Sequence, residues 1–188
     1  MFPHVQWDPR VYFNKNVFMY KLLFLAIAAH LGSIYDFQVT DVDNNTINFS
    51  NFQGKKILLV NIATGSTNVS QLEQLQQLQQ QHTDSLVVIG FPSNSLGHEP
   101  RSNSEIKQFC QEQYGANFRL AAKGSVRGAD IQPLYNWLTH QSENGVLSNE
   151  VLADFQKFLV GRNGLLIGVF GPGVNPMDST ILNAISNN

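Results

Sequence analysis

The residues whose types suit chemistry gather on one short segment. Ala63-Thr64-Gly65-Ser66-Thr67 sets three hydroxyls around a glycine, directly after Ile57–Ile62, a nearly unbroken apolar run rich in β-branched residues. A serine in such a place acts as a nucleophile only with a base beside it, and the base only with a group to orient it. IATGSTN is not a G-x-S-x-G elbow, because Asn68 stands where the second glycine belongs. Of the five histidines (His4, His30, His82, His98, His140), His98 alone falls in a loop expected near Ser66. The other reactive group is Cys110, the single cysteine, which can form neither an intramolecular disulfide nor a Cys-based zinc site. The histidines have no metal-ligand spacing, so no metal or cofactor is expected. Asp41, Asp43 and Asn45 alternate as at the head of a calcium loop. Thr46, however, stands where that loop needs Gly and Phe52 where it needs Glu, so a plain hairpin is the reading.

The elements that must position these residues follow from periodicity and turn chemistry. An apolar run bounded by turn residues reads as a strand covered on both faces, the centre of a parallel or mixed sheet. A helix pattern begins near Val69, and its Leu72, Leu75 and Leu78 mark one side of Gln71–Gln81. Ser66 therefore belongs at the carboxyl end of a central strand, the edge where open α/β sheets carry their sites. Upstream, Ile34–Thr40 and Thr46–Phe49 read as strands joined at Asp43-Asn44-Asn45. Downstream, Ser85–Gly90 reads as a buried strand. A helix capped by Asn103 or Ser104 runs from there to about Tyr114, with Ile106, Phe109 and Cys110 on one face. That placement makes Cys110 a small buried hydrophobe rather than an exposed thiol. Gly124–Gly128 is a loop, Ile131–Thr139 a helix, and Gln141–Asn149 a polar loop. Phe155–Val160 and Leu165–Phe170 pair through a type I′ turn at Asn163-Gly164, and Ser179 opens a final helix. Long apolar strands alternating with helices give one α/β layered domain.

The chain has 188 residues, 43% hydrophobic and 14% charged, with a formal net charge of −2. Its lack of a long basic run excludes nucleic-acid binding through a phosphate-neutralising patch. Met19–Gly32, MYKLLFLAIAAHLG, carries an apolar core too short to span a bilayer but suited to a signal peptide, with Ala26-Ile27-Ala28 as a cleavage pattern. Residues 1–32 are thus read as an N-terminal extension with a signal from Met19 to about Ala28, translation starting at Met19, and 33–188 as the folded domain. A periplasmic (hence bacterial) or secreted location follows, with an extra packed helix in a cytoplasmic protein as the alternative. No stable membrane span is expected in the mature chain.

Four segments, IYDFQVTDVDNN, GKKILLVNIATGST, VVIGFPSNSLGHEP and FQKFLVGRNGLL, resemble the glutathione peroxidase family, in order and with similar spacing from about Ser33 to Ser179. The resemblance implies a thioredoxin-like α/β fold: a central mixed β-sheet flanked by helices, with an N-terminal β-hairpin. It also implies reduction of hydroperoxides by thiol reductants in response to oxidative stress, without a cofactor. The family carries a redox-active Cys or selenocysteine on the turn after the central strand; here Ser66 occupies that position and Thr67 the next. Ser95 stands where the family keeps a Gln or Asn, and Ala153-Asp154 where it keeps Trp-Asn. A serine oxygen is neither ionised at neutral pH nor cycled through oxidation states. An ionised Asp154 would raise a neighbouring thiol's pKa. These departures imply a pseudoenzyme in which Ser66, Thr67, Ser95 and Asp154 line a shallow polar pocket for a small polar ligand or a protein. The alternative is a peroxidase that works weakly or through Cys110 as its redox thiol.

Overall fold

The computed structural model describes residues 32–187. The signal-peptide reading lies outside them. Among the described residues, no helix is long and apolar enough to cross a membrane.

Strands β1 (Gln38–Thr40) and β2 (Thr46–Asn48) form the antiparallel hairpin. Asn44 turns it with a φ of 65°, a conformation that Asn tolerates. Asp41 accepts the backbone N–H groups of Asp43 and Asn45, each at 2.8 Å, so its carboxylate is spent inside the turn. A five-stranded sheet follows, with residues 119–120, 86–92, 56–62, 157–160 and 166–170 side by side in that order. Its centre is β3 (Lys56–Ile62), parallel to β4 (Leu86–Pro92) and antiparallel to β6 (Lys157–Val160). β5 (Arg119–Leu120) adds to β4 in parallel, and β7 (Leu166–Phe170) pairs antiparallel with β6. All seven residues of β3 and of β4 are buried, as strands covered on both faces must be.

Alternation along the strands feeds two apolar layers. Ile57, Leu59, Ile89, Phe91 and Phe158 face α3 (Pro133–Thr139) with its Tyr135, Trp137 and Leu138. Leu58, Val60, Val88 and Leu159 face Leu72, Leu75 and Leu78 of α1 (Gln71–Gln81), Ile106 and Cys110 of α2 (Asn103–Tyr114), and Ile181 and Ile185 of α5 (Ser179–Ser186). This is the thioredoxin-like arrangement.

Two lysines are drawn into these layers. Lys56 is 4% exposed; its ammonium donates to the carbonyls of Ala184 and Ile185 at 2.9 and 3.0 Å and to that of Asn187, closing the C-terminal end of α5. Lys157 is fully buried and donates to the Phe155 carbonyl at 2.8 Å and the Pro172 carbonyl at 3.3 Å.

Several boundaries differ from the sequence reading. Ile34–Asp36 is a 3-10 turn, because the Asp36 carboxylate accepts the Ser33 N–H and ties the chain back on itself. Phe49 likewise leaves β2 to begin a 3-10 turn over Phe49–Phe52. α2 is capped by Ser102, not by Asn103 or Ser104: the Glu105 carboxylate reaches back to the Ser102 N–H at 2.8 Å, a capping box. β5 was not predicted; two residues carry no period. Gln141–Asn144 is a short helix, α4, within the expected polar loop. At 163–164 only Gly164 has a positive φ, 80°, so the turn is not type I′, which needs positive values at both central residues.

Candidate functional site

The turn after β3 is fastened from both sides. Thr64 donates its N–H and its hydroxyl to the two oxygens of Glu99, each at 2.7 Å. Glu99 is fully buried and also accepts the Arg101 N–H at 3.2 Å, while the Arg101 guanidinium donates to Thr64 Oγ1. A buried carboxylate is tolerable only with such a full set of donors. Gly65 donates its N–H to the His98 carbonyl at 3.0 Å, and a Cβ on residue 65 would meet that oxygen at 2.8 Å. Glycine is required there by close approach.

Ser66 is 8% exposed at the head of the turn leading into α1. Its Oγ accepts the Asn68 N–H at 3.2 Å. On the opposite side, Asn61 at the end of β3 clamps the segment before β6. Its amide donates to the Ala153 carbonyl at 3.0 Å, and its own carbonyl accepts the Phe155 N–H at 2.6 Å. Phe155 is held at a φ of 66°, an uncommon conformation for an aromatic residue. Just before it, Asp154 is 4% exposed, and its Oδ2 lies 2.6 Å from Nδ1 of His98, whose side chain is 54% exposed. Asp154 Oδ1 is buried without a partner among the described residues. The turn, the 94–101 loop and the 153–156 segment thus meet through Gly65–His98 and His98–Asp154.

Ser66, Asp154 and half-buried Ala153 sit in this cluster, but the Ser95 hydroxyl accepts from Ser93 Oγ at 3.0 Å and from the Val126 N–H at 3.1 Å. Ser95 instead lines a groove of about 550 Å³ with Asn94, Lys123, Ser125, Arg127 and Asp130, in which neither Ser66 nor Asp154 takes part. The Ser95 hydroxyl thus ties its loop to the 124–128 loop. Thr67 is exposed beside Ser66. The Gln-rich face of α1 lines a separate groove of about 780 Å³, with Gln76, Gln79 and Gln80 opposite Asn51 and Phe52.

Cys110 is fully buried on α2, as expected from its position on the helix. Burial, aided by the Glu99 carboxylate and opposed by Arg101, pushes its thiol up to about 12. It is therefore a thiol, not a thiolate, at neutral pH. Three residues that hold the site escaped the sequence reading: His98 as the partner of Asp154, Glu99 as the anchor of Thr64, and Asn61 as the clamp. His98 and Asp154 are 56 residues apart, and no spacing rule connects them.

The fold is that of a known family. A family model described as glutathione peroxidase matches residues 34–139. The glutathione peroxidase-like peroxiredoxin gpx1 of Schizosaccharomyces pombe is 38% identical over 139 residues, covering 73% of this chain and 87% of that protein. A glutathione peroxidase of Lactococcus lactis is 34% identical over 146 residues, covering 77% of this chain and 92% of its own length. The crystal structure of Trgpx in its apo form superposes with a TM-score of 0.61 at 30% identity, over 83% of this chain and 97% of that one. A thioredoxin-family thiol:disulfide interchange protein from Chlorobium tepidum shares the fold, with a TM-score of 0.58 at 16% identity over 80% of this chain and 93% of its own. In sequence and in architecture, then, this chain belongs to the glutathione peroxidase family.

Proposed function

We propose that the chain keeps the glutathione peroxidase scaffold without its thiol peroxidase chemistry, and that its site serves binding or a different reaction. Family membership supports a peroxidase-type origin of the scaffold, with hydroperoxide and a thiol reductant as the substrates it was shaped for. The observation that carries the reading is the pair of sulfur facts. The residue on the turn after β3 is Ser66, and the one cysteine of the chain is fully buried with its thiol pushed up to about 12. Peroxide reduction by sulfur needs an accessible thiolate that becomes a sulfenic acid and is then reduced by a second thiol. Ser66 supplies no sulfur and Cys110 supplies no thiolate. Ala153 offers no side-chain donor, and Asp154 brings a carboxylate that would disfavour a neighbouring anion.

The second reading is a peroxidase acting through Cys110, favoured by the names of the relatives. Peroxide consumption with glutathione or thioredoxin as reductant separates the two. The unmodified protein is expected to be silent; turnover gained by Ser66→Cys would mean that only the nucleophile is missing, and silence of both that the residues at 153 and 154 withhold the chemistry as well. Turnover by the unmodified protein that disappears in Cys110→Ser would overturn the first reading. Export is a further part of the proposal: the Met19–Ala28 signal gives a periplasmic or secreted protein, and an intact Met1 on the natural protein by mass spectrometry would refute it.

A further inference from the structure

We propose that Ser66, with His98 as its base and Asp154 as the group that orients His98, is an acyl-accepting nucleophile, and that the site hydrolyses small activated esters. The proposal rests on Ser66 being the centre of this site, as argued above. It comes from the contact between His98 and Asp154. The Asp154 carboxylate is 4% exposed; among the described residues one of its oxygens is buried without a partner, and the other lies 2.6 Å from Nδ1 of His98. In the proposed triad this contact fixes the ring and turns the Nδ1 proton toward Asp154. Nε2 is then left as an acceptor on a half-exposed ring. The backbone of His98 is fastened to the turn that carries the serine: Gly65, the residue before Ser66, bonds the His98 carbonyl at 3.0 Å, and a Cβ there would lie 3.9 Å from His98 Cα.

The remaining requirement is a donor for the oxyanion. Among the described residues Thr67 N–H, on the residue after the nucleophile, makes no hydrogen bond, and Thr67 is an exposed residue at the approach to the N-terminal end of α1. In the resting arrangement Ser66 Oγ accepts the Asn68 N–H, and rotation about χ1 frees it.

The reaction then balances as follows. His98 Nε2 takes the Ser66 Oγ proton as Oγ bonds to the ester carbonyl carbon, and the oxyanion forms against Thr67 N–H. The bond to the alcohol oxygen breaks, and that oxygen leaves with the proton from His98. Water repeats the sequence on the acyl-serine, releasing the carboxylic acid and restoring the hydroxyl. The small substrate follows from the restricted access to Ser66, which is 8% exposed.

The test is labelling of the full chain with a fluorophosphonate. Its phosphorus takes the serine oxygen as fluoride leaves, and the adduct is located by peptide mass mapping. One adduct on Ser66 is expected, absent in Ser66→Ala and formed at least about 100-fold more slowly in His98→Asn. Asp154→Asn is expected to slow labelling and change its pH profile while the melting temperature stays close to that of the unmodified protein. Lack of an adduct on Ser66, or a rate unchanged in His98→Asn, would overturn the proposal. The unmodified protein alone can deliver the first of these, so a variant that folds poorly leaves nothing open. Activity of Ser66→Cys toward peroxide is read separately and reports on the scaffold, not on this serine.

Discussion

Replacing Lys157 by methionine isolates the effect of one buried charge. The ammonium is fully enclosed, with two carbonyls as its partners, and burial lowers its pKa from 10.5 to about 8. The folded value lies below the unfolded one. Below pH 8 both states hold the proton and the whole penalty of burying the charge is present. Between pH 8 and 10.5 the unfolded chain holds the proton that the folded chain has lost, so stability rises with pH across that window. At about 1.4 kcal/mol per pKa unit the full shift corresponds to roughly 3 kcal/mol, of which about 2 kcal/mol is recovered between about pH 7.5 and 9.5. Urea unfolding of the two proteins across that range is the assay. Lys56, whose pKa is also lowered by burial, and Tyr35, whose pKa is raised by it, titrate in both proteins and cancel in the difference. The stability difference between the unmodified protein and Lys157→Met should move by about 2 kcal/mol in favour of the lysine as pH rises. Parallel curves would refute the reasoning, since they would mean that the ammonium keeps its proton in the fold.

Three further outcomes are expected. The Tyr135 hydroxyl is buried without a partner between Phe91 and Phe158, whose ring centroids lie 5.3 and 5.9 Å away. Tyr135→Phe should therefore stabilise by about 1 kcal/mol, raising the melting temperature by roughly 2–4 °C, and a fall would mean that the hydroxyl is hydrogen-bonded in solution. Gly65→Ala forces a Cβ to 2.8 Å from the His98 carbonyl. It should cost about 1–3 kcal/mol by denaturant unfolding, and a neutral result would show that the turn and loop separate freely. Cys110 should resist a disulfide-exchange reagent in the native protein and react fully once denatured; rapid native labelling would contradict its burial.

The parts of this molecule that repeat, or that turn on strong local chemistry, could be read from the chain. β3 and β4 declared themselves by uninterrupted apolar runs, α1 by Leu72, Leu75 and Leu78, and Cys110 by sharing a helix face with Ile106. The losses have physical causes. Ser33 and Asp36 bend a stretch whose alternation suggested a strand, because a side-chain cap outweighs a weak period. β5 exists because β4 offers it an edge at Ile89 and Gly90, not because Arg119-Leu120 favours extension. The position of Ser66 followed from strand, turn and helix. Its company did not: whether Asp154 meets a histidine, and whether Ser95 turns toward Ser66 or toward Val126, is settled by loop paths that no local pattern encodes. The fold was therefore legible and the site only half so.

The closure of α5 by Lys56 has a consequence for biosynthesis. Lys56 leaves the ribosome early and opens the central strand, yet its carbonyl partners at 184, 185 and 187 emerge about 130 residues later. Until they do, the central strand holds a cation for which the nascent chain has no α5 terminus. The sheet cannot settle around Lys56 as a closed unit during synthesis, and a chain cut short before residue 184 would leave that ammonium to water alone, so the loss of a few terminal residues would be felt at the first residue of the central strand and not only as a frayed end.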